Sequence, residues 1–163
     1  MLMLKRNALF AAVLTAALPS LALAAERGEA KATVAGKAVS IDYGRPALNG
    51  RDMLGQAVVG NPWRMGADAA TQLKTDANLA FGEVHVAPGT YKLTATKLAG
   101  DQWQLNISST GAEGKKIGDV PLVSSKLPAS VELFTIELKA DKDKGDLTLS
   151  WGTTAMKTSF TGK

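Results

Sequence analysis

The sequence predicts an all-β protein: a single-domain antiparallel β-sandwich of about seven to nine short strands, with a long Gly/Arg-rich connection and an N-terminal signal helix. Three observations predict it. Apolar residues recur with period two in several short segments, turn-forming glycines and aspartates separate those segments, and no apolar stripe of helical period follows the leader.

The leader comes first in the chain. Lys5 and Arg6 precede an apolar run from Ala8 to Leu18, followed by Pro19, Ser20 and the small-residue site Ala22-Leu23-Ala24. That three-part order is the pattern of a secretory signal peptide, here residues 1–24, cleaved after Ala24 to leave a domain of residues 25–163. The run from Ala8 to Ala25 also approaches the length needed to cross a bilayer as an anchor. Alanine richness, the Pro19 break and the Ala-x-Ala site favour cleavage, so the expectation is a periplasmic or secreted protein without stable membrane insertion.

Composition narrows the remainder. Removing Lys5 and Arg6 from 19 basic residues leaves 17 against 15 acidic ones, and no basic cluster is interleaved with aromatics, so nucleic acid is excluded as a partner. The chain has no cysteine, which removes disulfides, thiol catalysis and thiolate metal sites. One histidine leaves only carboxylates as further metal ligands, so no metal and no cofactor is expected.

The strands follow in order. Val39, Ile41 and Tyr43 alternate with polar or small neighbours, and Val84 with Val86, then Tyr91 with Leu93, flank a Pro88-Gly89 turn. Trp103, Leu105 and Ile107 form the next face, entered through a turn at Ala99-Gly100-Asp101. Val131 to Leu138 alternates with apolar groups on both faces, and after a hairpin at Ala140 to Asp146 come Leu147, Leu149 and Trp151. Trp103, Phe134, Trp151 and Phe160 are the expected aromatic core, and the Asp68 to Leu73 stretch has room for one helical turn.

Between the first strands lies "YGRPALNGRDMLGQAVVGNPWRMGADAAT", Tyr43 to Thr71. It has 29 residues, five glycines, two prolines, no lysine, and three of the four arginines that follow the leader. A connection this long inside a compact domain is usually functional or pinned by its own contacts. Lysine supplies charge, but only arginine presents a planar fork of five donors able to grip a carboxylate or several carbonyls at once.

Tyr43, Arg45, Pro46, Gly50 and Arg51, then Trp63, Arg64, Gly66, Ala67, Ala70 and Thr71, then "APGTYKL" from Ala87 and the tryptophan strand "DQWQLNI", resemble the bacterial secreted family called domain of unknown function 2911. The resemblance is close from Ile41 to about Ile107 and looser at the C-terminal end. It departs where the family carries Asn-Glu and this chain carries Asp68-Ala69, and in Gly111 to Lys126, which lacks the family's Trp-Gly and tyrosine segment. The family has no assigned activity, so the resemblance implies a fold and a site and leaves the chemistry open.

Three readings of the stretch compete. In the first, Arg45, Arg51 and Arg64 pair with Asp42, Asp52 and Asp68 or cap loop carbonyls, and the protein is a non-enzymatic structural or binding module. In the second, Tyr43, Arg45, Arg51, Trp63, Arg64, Asp68 and Thr71 line a site for a small anionic or carbohydrate-like ligand, with guanidinium forks for the charge and an aromatic face for stacking. In the third, Asp52 and Asp68 form the carboxylate pair of a hydrolase. No Gly-x-Ser-x-Gly elbow accompanies His85, which reads as a solvent-facing strand residue, so no catalytic residue is assigned. Asp141 to Asp146 lacks the spacing and distal glutamate of a calcium loop, and Gly111 to Gly118 lacks that of a phosphate loop and reads as a loop.

Overall fold

The computed structural model describes residues 23–163, so the expected signal helix lies outside the described residues. Among the described residues there are ten strands: β1 (Glu26–Val34), β2 (Lys37–Arg45), β3 (Pro62–Trp63), β4 (Gln72–Thr75), β5 (Leu79–Phe81), β6 (Val84–Val86), β7 (Gly89–Lys97), β8 (Trp103–Ser109), β9 (Lys116–Asp141) and β10 (Lys144–Gly162). They form one open antiparallel sheet in the order β1-β2-β4-β7-β8-β9-β10-β5-β6, with β3 beside β7. No α-helix occurs among the described residues; Ala99–Asp101 is a 3-10 turn, and Asp68 to Leu73 is loop running into β4.

The sheet makes two layers by turning back on itself. Lys116 to Leu122 of β9 pairs with β8, whereas Val123 to Asp141 pairs with β10, so one strand passes from layer to layer. β10 bends at Gly152, where φ is 61° and the register shifts on both sides. A left-handed backbone suits glycine, and the bend brings the strand's ends together: Ser159 Oγ donates to Asp146 over 2.6 Å, and the Gly162 N–H donates to the Asp143 carbonyl over 2.7 Å. β9 and β10 are thus far longer than the short strands expected. Pro128 sits in β9 between Lys126, opposite Thr154, and Val131, opposite Gly152, where the regular register is broken and a missing N–H is tolerated. Lys116 to Gly118, expected as loop, already belongs to β9.

The period-two faces meet between the layers. Val39, Ile41 and Tyr43 of β2, Leu93 and Ala95 of β7, Leu105 and Ile107 of β8, Phe134 and Ile136 of β9, and Leu147 and Leu149 of β10 are all buried. The aromatics form a connected cluster. Trp63 stacks on Trp151 with centroids 5.7 Å apart and meets Phe134 edge-on at 5.0 Å and Trp103 at 6.2 Å, while Tyr43 meets Phe134 edge-on at 5.6 Å. His85 is exposed on β6, as its alternation with Val84 and Val86 requires.

A seam joins the two layers along β9. Tyr43 Oη accepts from the Ile136 N–H over 2.9 Å and contacts the Ile136 carbonyl at 3.3 Å. Arg45 Nε donates to the Phe134 carbonyl over 3.3 Å, and the Phe134 N–H donates to the Pro46 carbonyl and the Leu48 N–H to the Glu132 carbonyl, each over 3.0 Å. From Glu132 to Ile136 the edge of β9 away from β10 is therefore satisfied by side chains of β2 and by the backbone that follows it. This explains why both faces of Val131 to Leu138 are apolar: Phe134, Ile136 and Leu138 enter the core, while Val131 and Leu133 are half-covered on the other face, with Ala47 paired to Leu133.

Tyr43→Phe removes the hydroxyl and leaves a buried N–H and carbonyl of Ile136 without that partner. It is expected to lower unfolding free energy by about 1 to 3 kcal/mol, read as a lower urea midpoint with an unchanged m-value. A second expectation concerns acid. Burial alone raises the Asp119 pKa, but hydrogen bonds from Lys116 and Asn106 and the Lys116 charge outweigh it and hold the carboxyl below its ordinary range. Hydrogen bonds from Lys157 and Ser159 likewise lower Asp146. Groups with lowered folded pKa contribute stability above their unfolded value, about 3.9, and lose it as pH falls through the folded value. The drop in Tm on acidification below about pH 4 should be shallower in Asp119→Asn and Asp146→Asn than in the wild type.

Candidate functional site

The connection from β2 to β4 is held at both ends and in its middle. Leaving β2, Leu48 and Leu54 are buried, the Asn49 N–H donates to Glu132 over 3.0 Å, and Arg51 Nε donates to the Leu48 carbonyl over 3.2 Å. Asp52 accepts from the Gly55 N–H over 2.9 Å, forming a tight turn of the kind aspartate favours. Lys97 of β7 then takes hold of the loop twice: its Nζ donates to the Gly55 carbonyl over 3.2 Å, and its own carbonyl accepts from the Gly60 N–H over 2.8 Å. β3 follows and lays Trp63 into the aromatic cluster.

Past Trp63 the chain crosses β2 almost in backbone contact. A Cβ on Gly44 would lie 2.1 Å from the Ala67 carbonyl oxygen, and one on Gly66, where φ is 143°, would lie 2.7 Å from the Gly44 oxygen. Only glycine fits both positions. Thr71, fully buried, donates from Oγ1 to the Met65 carbonyl over 2.7 Å and closes the crossing, with Met65 itself in the core.

The arginines act mainly on carbonyls. Arg45 is half-buried and uses all three of its nitrogens: Nε on the Phe134 carbonyl, Nη2 on Thr135 Oγ1 at 3.1 Å and Nη1 on Glu26 at 3.1 Å. Arg64 is exposed and donates to the main-chain carbonyl of Asp68 over 2.8 Å. Among the described residues no ion pair joins Arg45, Arg51 or Arg64 to Asp42, Asp52 or Asp68, and each arginine instead caps a main-chain carbonyl. The reason is strand parity. Asp42 points to the outer face of β2, where it meets Arg27, whereas Tyr43 and Arg45 share the face that reaches the seam.

Arg27 is the residue the sequence did not single out. Its guanidinium joins the Asp42 carboxylate to the carbonyls of Ala67 and Ala69, at 3.5 and 3.4 Å, and so ties β1 and β2 to the crossing loop. The alternation of charged and small residues along Glu26 to Val34 is the signal that would have revealed this strand and its arginine.

Five clefts among the described residues are lined without Arg45, Arg51 or Arg64. Trp63 floors a cleft of about 330 Å³ with Trp151, walled by Met53, Ala57, Val58 and Asn61. Asp52 belongs to a separate cleft of about 390 Å³ beside Lys97, Asp101 and Ser125, and Asp68 lines neither, so the two carboxylates of the hydrolase reading do not share a cleft. Among the described residues no group of His, Asp and Glu side chains is arranged to hold a metal ion.

The arginine variants should therefore rank by what each fork grips. Arg45→Lys keeps the charge and loses the fork, with an expected cost of about 1 kcal/mol, and Arg45→Ala about 2 kcal/mol. Arg51→Ala and Arg64→Ala should each fall under about 1 kcal/mol. Urea denaturation of the four variants checks the order.

Comparison with known proteins adds a family and no function. No match was found among curated proteins or among solved structures. A family model described as "Protein of unknown function (DUF2911)" matches residues 25–160, which includes every strand of the fold except the last two residues of β10. The chain belongs to the DUF2911 family of proteins of unknown function.

Proposed function

We propose that the protein is an exported, non-enzymatic module in which Tyr43 to Thr71 serves the architecture, pinning a long connection across the two layers. The observation that carries this reading is Arg45, whose three nitrogens are all engaged, two on β9 and one on Glu26, leaving little of the fork for a ligand. Export rests on the leader, with its basic start, apolar run and Ala-x-Ala site before Ala25.

A second reading is favoured by the cleft at Trp63. The indole is half-buried, so part of its surface borders the 330 Å³ cleft, and exposed Val58 stands beside it. Gln56 and Asn61 add side-chain amides to the rim. An aromatic floor with amide donors and acceptors suits a carbohydrate-like ligand better than an anion, since Arg45 points into the seam and Arg64 holds the Asp68 carbonyl. Export would then place a binding module in the periplasm or outside the cell.

A thermal-shift screen of oligosaccharides and small anions at about millimolar concentration, followed by tryptophan fluorescence titration of any hit, separates the readings. The architectural reading expects no saturable shift with either class. A saturable shift with an oligosaccharide that is lost in Asn61→Ala, a variant expected to fold normally, would transfer the function to the Trp63 cleft. A shift with an anion that is lost in Arg64→Ala would instead assign the guanidinium a ligand.

A further inference from the structure

We infer that Asp68 is the receptor for the α-ammonium group created at Ala25 when the leader is removed; the inference rests on the export reading above. The Ala25 nitrogen lies 2.8 Å from Asp68 Oδ2, a contact between residues 43 positions apart. In the uncleaved chain that nitrogen is a peptide N–H. Hydrolysis of the Ala24–Ala25 bond adds water across it: the oxygen goes to the Ala24 carbonyl carbon, which departs with the leader as a carboxylate, and the nitrogen becomes a protonated amine. A neutral donor facing a carboxylate is thereby replaced by a cation with three donors, and charge-assisted bonds are the stronger kind.

Both partners are held in place before the cut. Ala25 directly precedes Glu26, the first paired residue of β1, which lies opposite Arg45. Asp68 sits in the crossing loop at φ 62°, a left-handed conformation that aspartate accepts more readily than most residues. Its own carbonyl is gripped by Arg64, and the carbonyls on either side, of Ala67 and Ala69, are gripped by Arg27. Among the described residues the Asp68 carboxylate joins no ion pair: Arg27 is paired with Asp42, Arg45 with Glu26, and Arg64 faces the Asp68 backbone. The loop thus presents one carboxylate without a cation at the place where processing supplies one.

The geometry also distinguishes an amino terminus from a general anion-binding or cation-binding surface. The carboxylate meets the nitrogen at the first step of a strand whose register is fixed, so a terminus one residue longer would carry its charge past the site. Processing after Ala24 and the position of Asp68 therefore match to the residue.

The test compares four proteins: the chain beginning at Ala25 and the same chain extended by Gly-Ser ahead of Ala25, each as wild type and as Asp68→Asn. Asp68→Asn should lower Tm by about 2 to 3 °C in the form beginning at Ala25 and by less than half of that in the extended form. An equal loss in both forms, or no loss in the form beginning at Ala25, overturns the inference. Should the substituted chain fail to fold, the two wild-type forms decide: the extended one must melt lower. Intact mass of the exported protein tests the export reading separately: a first residue other than Ala25 would refute that cleavage and, with it, the supply of an ammonium to Asp68, whereas a failure of the four-protein comparison alone would overturn the pairing and leave export standing.

Discussion

The structure depends on how one strand edge is satisfied. β9 pairs with β10 through Asp141 to Thr135, which leaves its other edge facing the layer built from β1 and β2. An unpaired edge at the junction of two layers would carry buried amides and carbonyls without partners, each costing about 1 to 3 kcal/mol. A further strand would solve this by a ladder. Here Tyr43 and Arg45 of β2 extend side chains to Ile136, Phe134 and Thr135, and the backbone of Pro46 and Leu48 completes the row at Phe134 and Glu132. The seam is a ladder whose upper rungs are side chains and whose lower rungs are main chain.

That device sets requirements on its neighbours. Tyr43 and Arg45 must lie flat across β1 to reach β9, and the residue beneath them is Gly28, where a Cβ would stand 2.8 Å from the Tyr43 ring and 2.6 Å from the Arg45 stem. The tyrosine ring in turn packs edge-on against Phe134, which carries the aromatic cluster through Trp63 to Trp103 and Trp151. Lysine at position 45 would place a single ammonium where three separate acceptors converge: a carbonyl, a hydroxyl and a carboxylate. The preference for arginine is a matter of the number and direction of donors, with ion pairing a minor part.

How much of this was legible in the sequence follows from the same physics. β2, β8 and the first half of β10, Leu147 to Trp151, were readable because large apolar residues alternate with polar ones, and the antiparallel all-β class followed from them. β1 was harder to read, because its inward positions are Gly28, Ala30, Ala32 and Val34, of which only Val34 is a large apolar residue, so its alternation sets charged residues against small ones and lacks the large apolar face of the other strands. The continuity of β9 was hidden because Val123 to Ser130 is largely exposed and its pattern breaks where the strand changes layer. At the site, the pinned character of the connection was legible from its length and its arginines. The partners were not, because Arg45, Arg51 and Arg64 all grip backbone carbonyls, and a carbonyl has no signature in the sequence.

The distribution of constraint also says where this family member has freedom. Gly44 and Gly66 are closed to any side chain, and Tyr43, Arg45 and Thr71 are each held by a hydrogen bond to the backbone of another segment. Between them, Met53 to Asn61 is attached to the body chiefly through Leu54 in the core and the two bonds from Lys97, and its exposed Val58 and Val59 make no comparable contacts. A segment anchored at both ends over a rigid aromatic floor can vary in sequence while the seam below stays unchanged. A substitution at Val58 or Gln56 would alter the wall of the Trp63 cleft without disturbing a bond of the seam, because neither residue takes part in it.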